Sequence, residues 1–193
     1  MGRTRQNDKR NRLIQAADQL IREKNYVSTT LAHIAEAASV PLGNVYYYFK
    51  TKDEILDCVI QYRAEALTTF LDSLSTLPPG VARLLALVRH YTDSGEQVAR
   101  FGCEIGNLCH ELSKNSGQHA EKASVLLTQL IDWCQKQFES MNTSPEDALV
   151  MATYFVAGLQ GAQLMTLTFK DPTYLQRQSA NLNRWLQAAL ETA

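Results

Sequence analysis

Between Thr29 and Lys52 the chain collects side chains suited to a polyanion. Thr29, Thr30 and the consecutive Tyr46, Tyr47 and Tyr48 offer hydroxyls, and Lys50 and Lys52 offer ammonium groups. Both kinds of group bond phosphate oxygens. Asn44 carries a carboxamide that can pair with an adenine edge through two hydrogen bonds. Gly43, without a Cβ, lets the backbone come close to a phosphate. Successive residues on a helix point about 100° apart, so three adjacent tyrosines cannot share one role. At least one must pack inward while the others face solvent or a ligand, and the sequence leaves open which one packs.

Two short helices must position these groups. Thr29 and Thr30 can cap the first, because a hydroxyl accepts a bond from a free amide of the first turn. Leu31, Ile34, Ala35 and Ala38 then recur at helical spacing and form one apolar face. Ser39 lies where this helix must stop, Val40 can plug the turn, and Pro41 supplies a fixed φ for the start of the next. The second helix, about Leu42 to Phe49, can turn Val45 and Phe49 inward, leaving Gly43, Asn44 and Tyr47 outside. Helix, tight turn, helix is the arrangement whose second member enters the major groove of DNA. A compact hairpin without a ligand is the alternative, and three tyrosines beside Lys50 and Lys52 count against it.

The pattern T-T-L-x-x-I-A-x-x-A-x-V-x-x-G-x-V-Y-Y-Y-F-x-x-K, from Thr29 to Lys52, resembles the DNA-binding domain of TetR-family transcriptional regulators. The resemblance implies an all-α protein. Its N-terminal three-helix DNA-binding domain with a helix-turn-helix is expected over residues 1–52, and its larger helical domain for ligand and dimerisation over 53–193. It also implies a homodimer on a palindromic operator in double-stranded DNA, with a small-molecule inducer. Thr29, Thr30, Tyr46, Tyr48 and Lys52 are then expected on phosphates, and Leu42, Gly43, Asn44 and Tyr47 on bases or sugar edges. The family usually has glycine where this chain has Ser39, which must adopt a left-handed backbone at some cost.

Charge is divided along the chain as this reading requires. Residues 1–52 hold nine Lys or Arg against four acids, a net of +5, and the remainder holds ten against sixteen, a net of −6. A basic end on an acidic body suits a small nucleic-acid contact, and a solvated basic tail is the plainer alternative. With 193 residues, 45% hydrophobic and 20% charged, the chain has the composition of a soluble globule with a sizeable core. No stretch approaches 18 uninterrupted apolar residues, so no membrane contact is expected. No apolar signal segment follows the basic N-terminus, so the expected place is the cytoplasm.

The remaining chain reads as helices throughout. A basic arm from Arg3 to Arg12 leads into a helix from about Asp8 to Lys24, with Leu13, Ala16, Ala17, Leu20 and Ile21 as its stripe. The arm either reaches phosphates or the minor groove or is a loose tail. Thr51 with Glu54 makes a capping box for a long helix to about Leu74. Pro78-Pro79-Gly80, Ser94-Gly95 and Asn115-Ser116-Gly117 are breaks. Long helices follow at about 118–140, 145–169 and 172–191. The 145–169 helix is rich in small residues, among them Ala157, Gly158 and Gly161. With Leu182, Trp185 and Leu186 of the last helix, it can form half of a four-helix bundle with a second copy, which is also how TetR-like proteins dimerise; simple intrachain packing is the alternative.

Four cysteines, Cys58, Cys103, Cys109 and Cys134, form no disulfide framework, and with His110 and His119 their spacing is too irregular for a metal site. Neither a metal nor a cofactor is expected. Cys103 follows Gly102 near a helix start, where the positive helix end could favour thiolate. The segment G-C-x-x-G-N-L resembles part of a TetR subgroup in which some members sense electrophiles through a cysteine. Aromatic residues Tyr62, Phe101, Trp133, Tyr154 and Phe155 supply area for an apolar ligand pocket with Cys103, and each is equally at home in an ordinary core. The reading is a repressor released by a small apolar or electrophilic molecule. A thiol enzyme is the different-class alternative, to be betrayed by turnover without DNA binding. Against it, no phosphate loop or nucleophile elbow occurs, and Cys109-His110-Glu111 are adjacent, so a helix points them apart. A helical protein-interaction module is the third, and would lack salt-sensitive DNA affinity.

Overall fold

The computed structural model describes residues 2–114 and 117–191, in which ten α-helices and one 3-10 turn follow one another without a strand. The Asn115-Ser116 part of the expected break lies outside the described residues. Helix α1 (Gly2–Lys24) begins earlier than the expected start near Asp8, so the basic arm is itself helix. The Arg3 and Arg5 side chains lie outside those described. Helices α2 (Leu31–Ala37) and α3 (Leu42–Tyr48) start at the expected residues, and α3 ends one residue before the expected Phe49. Helix α4 (Lys52–Ser73) runs on into the 3-10 turn at Leu74–Thr76. Then come α5 (Val81–Asp93), α6 (Gly95–Phe101), α7 (Glu104–Ser113), α8 (Gln118–Glu139), α9 (Pro145–Phe169) and α10 (Thr173–Glu191). The stretch between the Ser94-Gly95 and Asn115-Ser116-Gly117 breaks thus holds two helices. Gly102, at φ 77°, takes a backbone that favours glycine and breaks it.

These helices form two compact units. The first comprises Met1–Ala66 and Asn107–Leu126, and the second Leu67–Gly106 and Leu127–Ala193. The first unit therefore extends past residue 52, and it includes parts of α7 and α8 that are remote in sequence. Its core holds the α1 stripe (Leu13, Ile14, Ala17, Ile21), Ile34 and Ala35 of α2, Val45 of α3, and Ile55, Leu56 and Val59 of α4. Leu108, Leu112 and Ala123 close it from α7 and α8.

The second unit is built on α9, which packs against α10 and α6, while α5 packs on α10. Ser144 caps α9 by accepting from the Asp147 N–H at 3.2 Å, and Pro145 takes its first position. Ala148, Ala152, Phe155, Val156, Leu159 and Ala162 form its buried face. By length and composition α9 is apolar enough to cross a membrane. That exceeds the sequence expectation, but this inward face is the pattern of a core helix packed on two neighbours.

One polar pair stands inside the first unit. Arg63 on α4 is 4% exposed and its Nε donates to Asp18 Oδ1 of α1 at 2.6 Å. Breaking a buried pair strands a desolvated charge, which costs about 3–5 kcal/mol. Asp18→Asn is therefore expected to lower the unfolding free energy by about 3 kcal/mol, read as a fall in the urea midpoint.

Candidate nucleic-acid interface

The link between α2 and α3 sets the geometry of the reading head. Thr30 caps α2, its Oγ1 accepting from the His33 N–H at 3.2 Å. At the other end Ser39 adopts φ 53°, the left-handed backbone expected at this position. Its N–H donates to Glu36 O at 3.0 Å and the next, that of Val40, to Ala35 O at 2.9 Å. These two bonds make a Schellman turn, with Val40 buried beneath it. The turn outweighs the left-handed strain of a serine, about 1–2 kcal/mol.

Helix α3 then presents most of itself to solvent. Leu42, Gly43, Asn44, Tyr46 and Tyr47 are exposed, Tyr47 by 69%, while Val45 and the following Phe49 are buried. A Cβ built on Gly43 would meet nothing within 4 Å, so the space in front of it is open. Tyr48 is the tyrosine that packs, half-buried against the first unit's core with its ring edge-on to Tyr47 at 5.2 Å.

The structure revises the expected phosphate contacts. Thr30 and Tyr46 are exposed. Thr29 is fully buried and its hydroxyl donates to Asn25 O at 2.7 Å, so it fastens the α1–α2 loop and does not face solvent. Tyr48 leans on the core. Lys52 Nζ donates to Tyr26 O at 2.9 Å and lies 4.1 Å over the Tyr26 ring. Lys50 Nζ donates to Tyr46 O at the end of α3. Arg10, from the basic arm, donates to Cys58 Sγ at 3.0 Å and lies 5.2 Å over the Phe49 ring. The basic groups nearest α3 are thus braces of the reading head. The sequence places Arg10 in the basic arm and Asn25, a residue tolerant of positive φ, at the end of the first helix, and gives no local signal for either as a brace of the reading head.

The ligand candidates separate. Tyr62 belongs to the first unit, where with Arg10 and Cys58 it lines a groove of about 430 Å³ between α1 and α4. Phe101, Trp133, Tyr154 and Phe155 belong to the second unit. Tyr154 is exposed, and Phe155 is fully buried and edge-on to Phe138. Phe101 and Trp133 are half-buried. Cys103 is buried ahead of α7, its Sγ accepting from the Gly106 N–H at 3.2 Å. Burial raises its pKa, and this outweighs the Gly106 bond and the neighbouring Gln160 amide that favour thiolate. The thiolate expected at this helix start is therefore a protonated thiol. Burial likewise raises Tyr91 well above its ordinary value, with Cys103 and Cys134 close enough to add to the shift. Tyr91 and Gln160 carry no local sequence signal that would place them beside Cys103. Among the described residues no group of three or more His, Cys, Asp or Glu side chains is placed to hold a metal.

The dimer candidates also divide. Ala157 and Gly161 face outward from α9 in line with exposed Val150, Tyr154, Leu164 and Phe169. Leu182 and Leu186 are buried, and Gly158 lies under Gln178 and Leu182 of α10. Trp185 packs edge-on to Phe138 at 5.7 Å and against Tyr154 at 5.1 Å. These four residues serve intrachain packing, because α10 turns that side to α9.

Comparison with known proteins agrees with this geometry. Residues 13–59 match the family described as bacterial regulatory proteins, tetR family, and residues 80–181 match the LmrA/YxaF-like C-terminal domain of transcriptional regulators. The chain is 27% identical over 173 residues to an HTH-type transcriptional regulator from the lacX 3' region of Lactococcus lactis subsp. lactis, covering 86% of each. It shares its fold with a TetR transcriptional regulator from Chloroflexus aurantiacus J-10-FL, at TM-score 0.84 and 19% identity over 97% of both chains. Regulatory protein TetR from Rhodobacter sphaeroides superposes at TM-score 0.79 and 24% identity over 90% of this chain and 96% of the other.

The cysteines give a direct check of the second unit. Native protein treated with iodoacetamide near pH 7.5 is expected to label Cys58 and Cys109, which are partly exposed, before Cys103 and Cys134. Burial keeps the latter two from solvent and holds them in the unreactive thiol form. Peptide mass spectrometry over a time course reads the order. Early labelling of Cys103 would contradict the buried thiol.

Proposed function

Because the chain belongs to the TetR family of bacterial regulatory proteins, whose members are helix-turn-helix transcriptional regulators and not enzymes, we propose a specific role for it. It acts in the cytoplasm as a homodimeric repressor, released from a palindromic operator by a small neutral molecule. The observation that carries this reading is the outward face of α3, where Leu42, Gly43, Asn44, Tyr46 and Tyr47 stand exposed around the buried anchor Val45. A seven-residue helix with so little inside turns most of its side chains outward.

In this reading residues 1–52 make the DNA contact and 53–193 the ligand and dimer contacts. Asn44 reads a base edge, Gly43 allows close approach, and the Thr30 and Tyr46 hydroxyls hold phosphates. The second copy docks on the outward face of α9, where Val150, Tyr154, Ala157, Gly161, Leu164 and Phe169 form an apolar stripe open to solvent. Two-fold symmetry makes such an interface self-complementary and calls for a palindromic site. The inducer is read by Tyr91, Cys103 and Gln160. Tyr91 and Cys103, both kept protonated by desolvation, and the half-buried Gln160 amide suit hydrogen bonding to a neutral molecule better than attack on an electrophile. The inducer must bind better to the geometry that no longer fits the operator, since equal affinity for both shifts nothing.

Selection of bound duplexes from random DNA at near-physiological salt is expected to enrich one palindrome. Without enrichment the repressor reading fails. On the enriched site, Asn44→Ala is expected to lose about 1–3 kcal/mol of discrimination at one position in each half-site and to leave the others unchanged.

The α9 stripe has its own check. Gly161→Glu places a charge where a Cβ meets nothing within 4 Å, so folding is undisturbed. Light scattering is expected to show a monomer in place of the dimer, and operator affinity should fall with it.

A further inference from the structure

The loop joining α1 to the reading head, residues 25–30, is held by an element that lies outside the DNA-binding segment of the sequence. Glu111, on α7, accepts from two consecutive backbone amides: the Tyr26 N–H at 2.9 Å on one carboxylate oxygen and the Val27 N–H at 2.8 Å on the other. Lys52 grips the carbonyls of the same two residues, with Nζ at 2.9 Å from Tyr26 O and 3.4 Å from Val27 O. The Tyr26 hydroxyl donates to Asp53. Asn25 turns the chain at φ 75°, and its Oδ1 accepts from the Ser28 N–H at 2.9 Å. Thr29, fully buried, returns its hydroxyl to Asn25 O. The peptide groups of Tyr26 and Val27 are thus fixed on their amide side by a carboxylate and on their carbonyl side by an ammonium. Charge-assisted bonds of this kind are about twice as strong as neutral ones. The next residues are Thr30, which caps α2, and then the helix-turn-helix itself.

The geometry points to Glu111 as a positioning residue for DNA recognition: it sets the tilt of α2 and α3 by fixing the loop they hang from. All the groups concerned lie in one unit, since Asn107–Leu126 packs with Met1–Ala66. This role rests on the reading of the chain as an operator-binding regulator. Glu111 touches no DNA in it and acts only through the Tyr26–Val27 backbone.

The sign of the effect separates positioning from charge. Removing a carboxylate from a DNA-binding protein reduces repulsion of phosphates, so on electrostatics alone Glu111→Gln would bind DNA more tightly. Loss of positioning predicts the reverse. A glutamine keeps the size but offers one oxygen where two amides need acceptors. The test compares wild type, Glu111→Gln and Glu121→Gln on the palindrome enriched by the wild-type protein. Glu121 is exposed on α8 in the same unit, so its variant matches the change in charge. Each protein is assayed well below its melting temperature, with native circular dichroism confirmed.

Glu111→Gln is expected to weaken operator affinity about tenfold. Base preference and salt slope should stay unchanged, because no base or phosphate contact is removed. Amide hydrogen exchange at Tyr26 and Val27 should speed up while exchange in the α1 core stays slow. Glu121→Gln is expected to bind as wild type or slightly better. Glu111→Asp, which keeps both oxygens on a shorter arm, should fall between. Wild-type or tighter affinity in Glu111→Gln, with the loop amides still protected, would overturn the inference. Equal acceleration of exchange across the α1 core would overturn it too, as the mark of a residue that only stabilises the fold. Failure of the wild-type protein to enrich any palindrome would instead sink the operator reading itself.

Discussion

Helix α3 keeps five of its seven residues outside and only Val45 fully inside, so its orientation must come from its flanks. Isolated helices of two turns do not persist in water, since nucleation is unfavourable and few bonds follow it. The chain answers at both ends. Before α3, the Schellman turn at Ser39 and Val40 closes α2 and fixes the exit direction. After it, Phe49 is buried and Lys50 covers the Tyr46 carbonyl. The Lys50 N–H then donates to Glu54 Oε2 at 2.7 Å, and the Glu54 N–H to Thr51 Oγ1 at 3.1 Å, so α4 starts at a defined place. A helix free to offer its surface is made stiff by residues that offer none.

That demand explains where the positive charge goes. A basic N-terminal segment reads as a supply of phosphate contacts, yet Arg10, Lys50 and Lys52 are each turned onto a thiol, a ring or a carbonyl. Carbonyls at the ends of short helices carry partial negative charge and lack intrahelical donors, so an ammonium close by is well placed there. The charges still contribute to the field around the reading head at long range. In the proposed contact, close approach falls to hydroxyls, the Asn44 amide and backbone, whose geometry is more directional than a lysine's. Orientation of α2 and α3 then matters more, because directional bonds tolerate little misplacement.

What the sequence made legible was local. Thr30 and the Thr51–Glu54 pair announced helix starts that the structure has at the same residues or within one, since caps are read within a turn of the chain. The apolar spacing of α1 and α2 identified their inner faces. Faces were not legible where a helix has apolar residues all round. On α9 periodicity placed Ala157 and Gly161 together with Gly158, and only packing on α10 separates them. Leu182 and Leu186 were legible as apolar but not as inward-facing. Glu111 was read only as one of three adjacent residues that could not form a triad. Its bonds to Tyr26 and Val27 span 85 and 84 positions, and no periodicity encodes such a pair.

Cys103 shows two physical effects opposed at one atom. A helix start supplies N–H groups and positive potential, and the Gly106 N–H does reach its sulfur. Burial removes the water that would stabilise a thiolate, and burial is the larger effect here. Sequence carries the first effect in the Gly102-Cys103 pair, but the second depends on how α7 and α9 close over the residue. Gly106 shows how closely they do so, since a Cβ there would come within 2.3 Å of the Gln160 amide oxygen. Such a close fit leaves the sulfur as an acceptor and a weak donor among Tyr91 and Gln160. This is the basis for proposing an inducer that exchanges hydrogen bonds and keeps its own bonds intact.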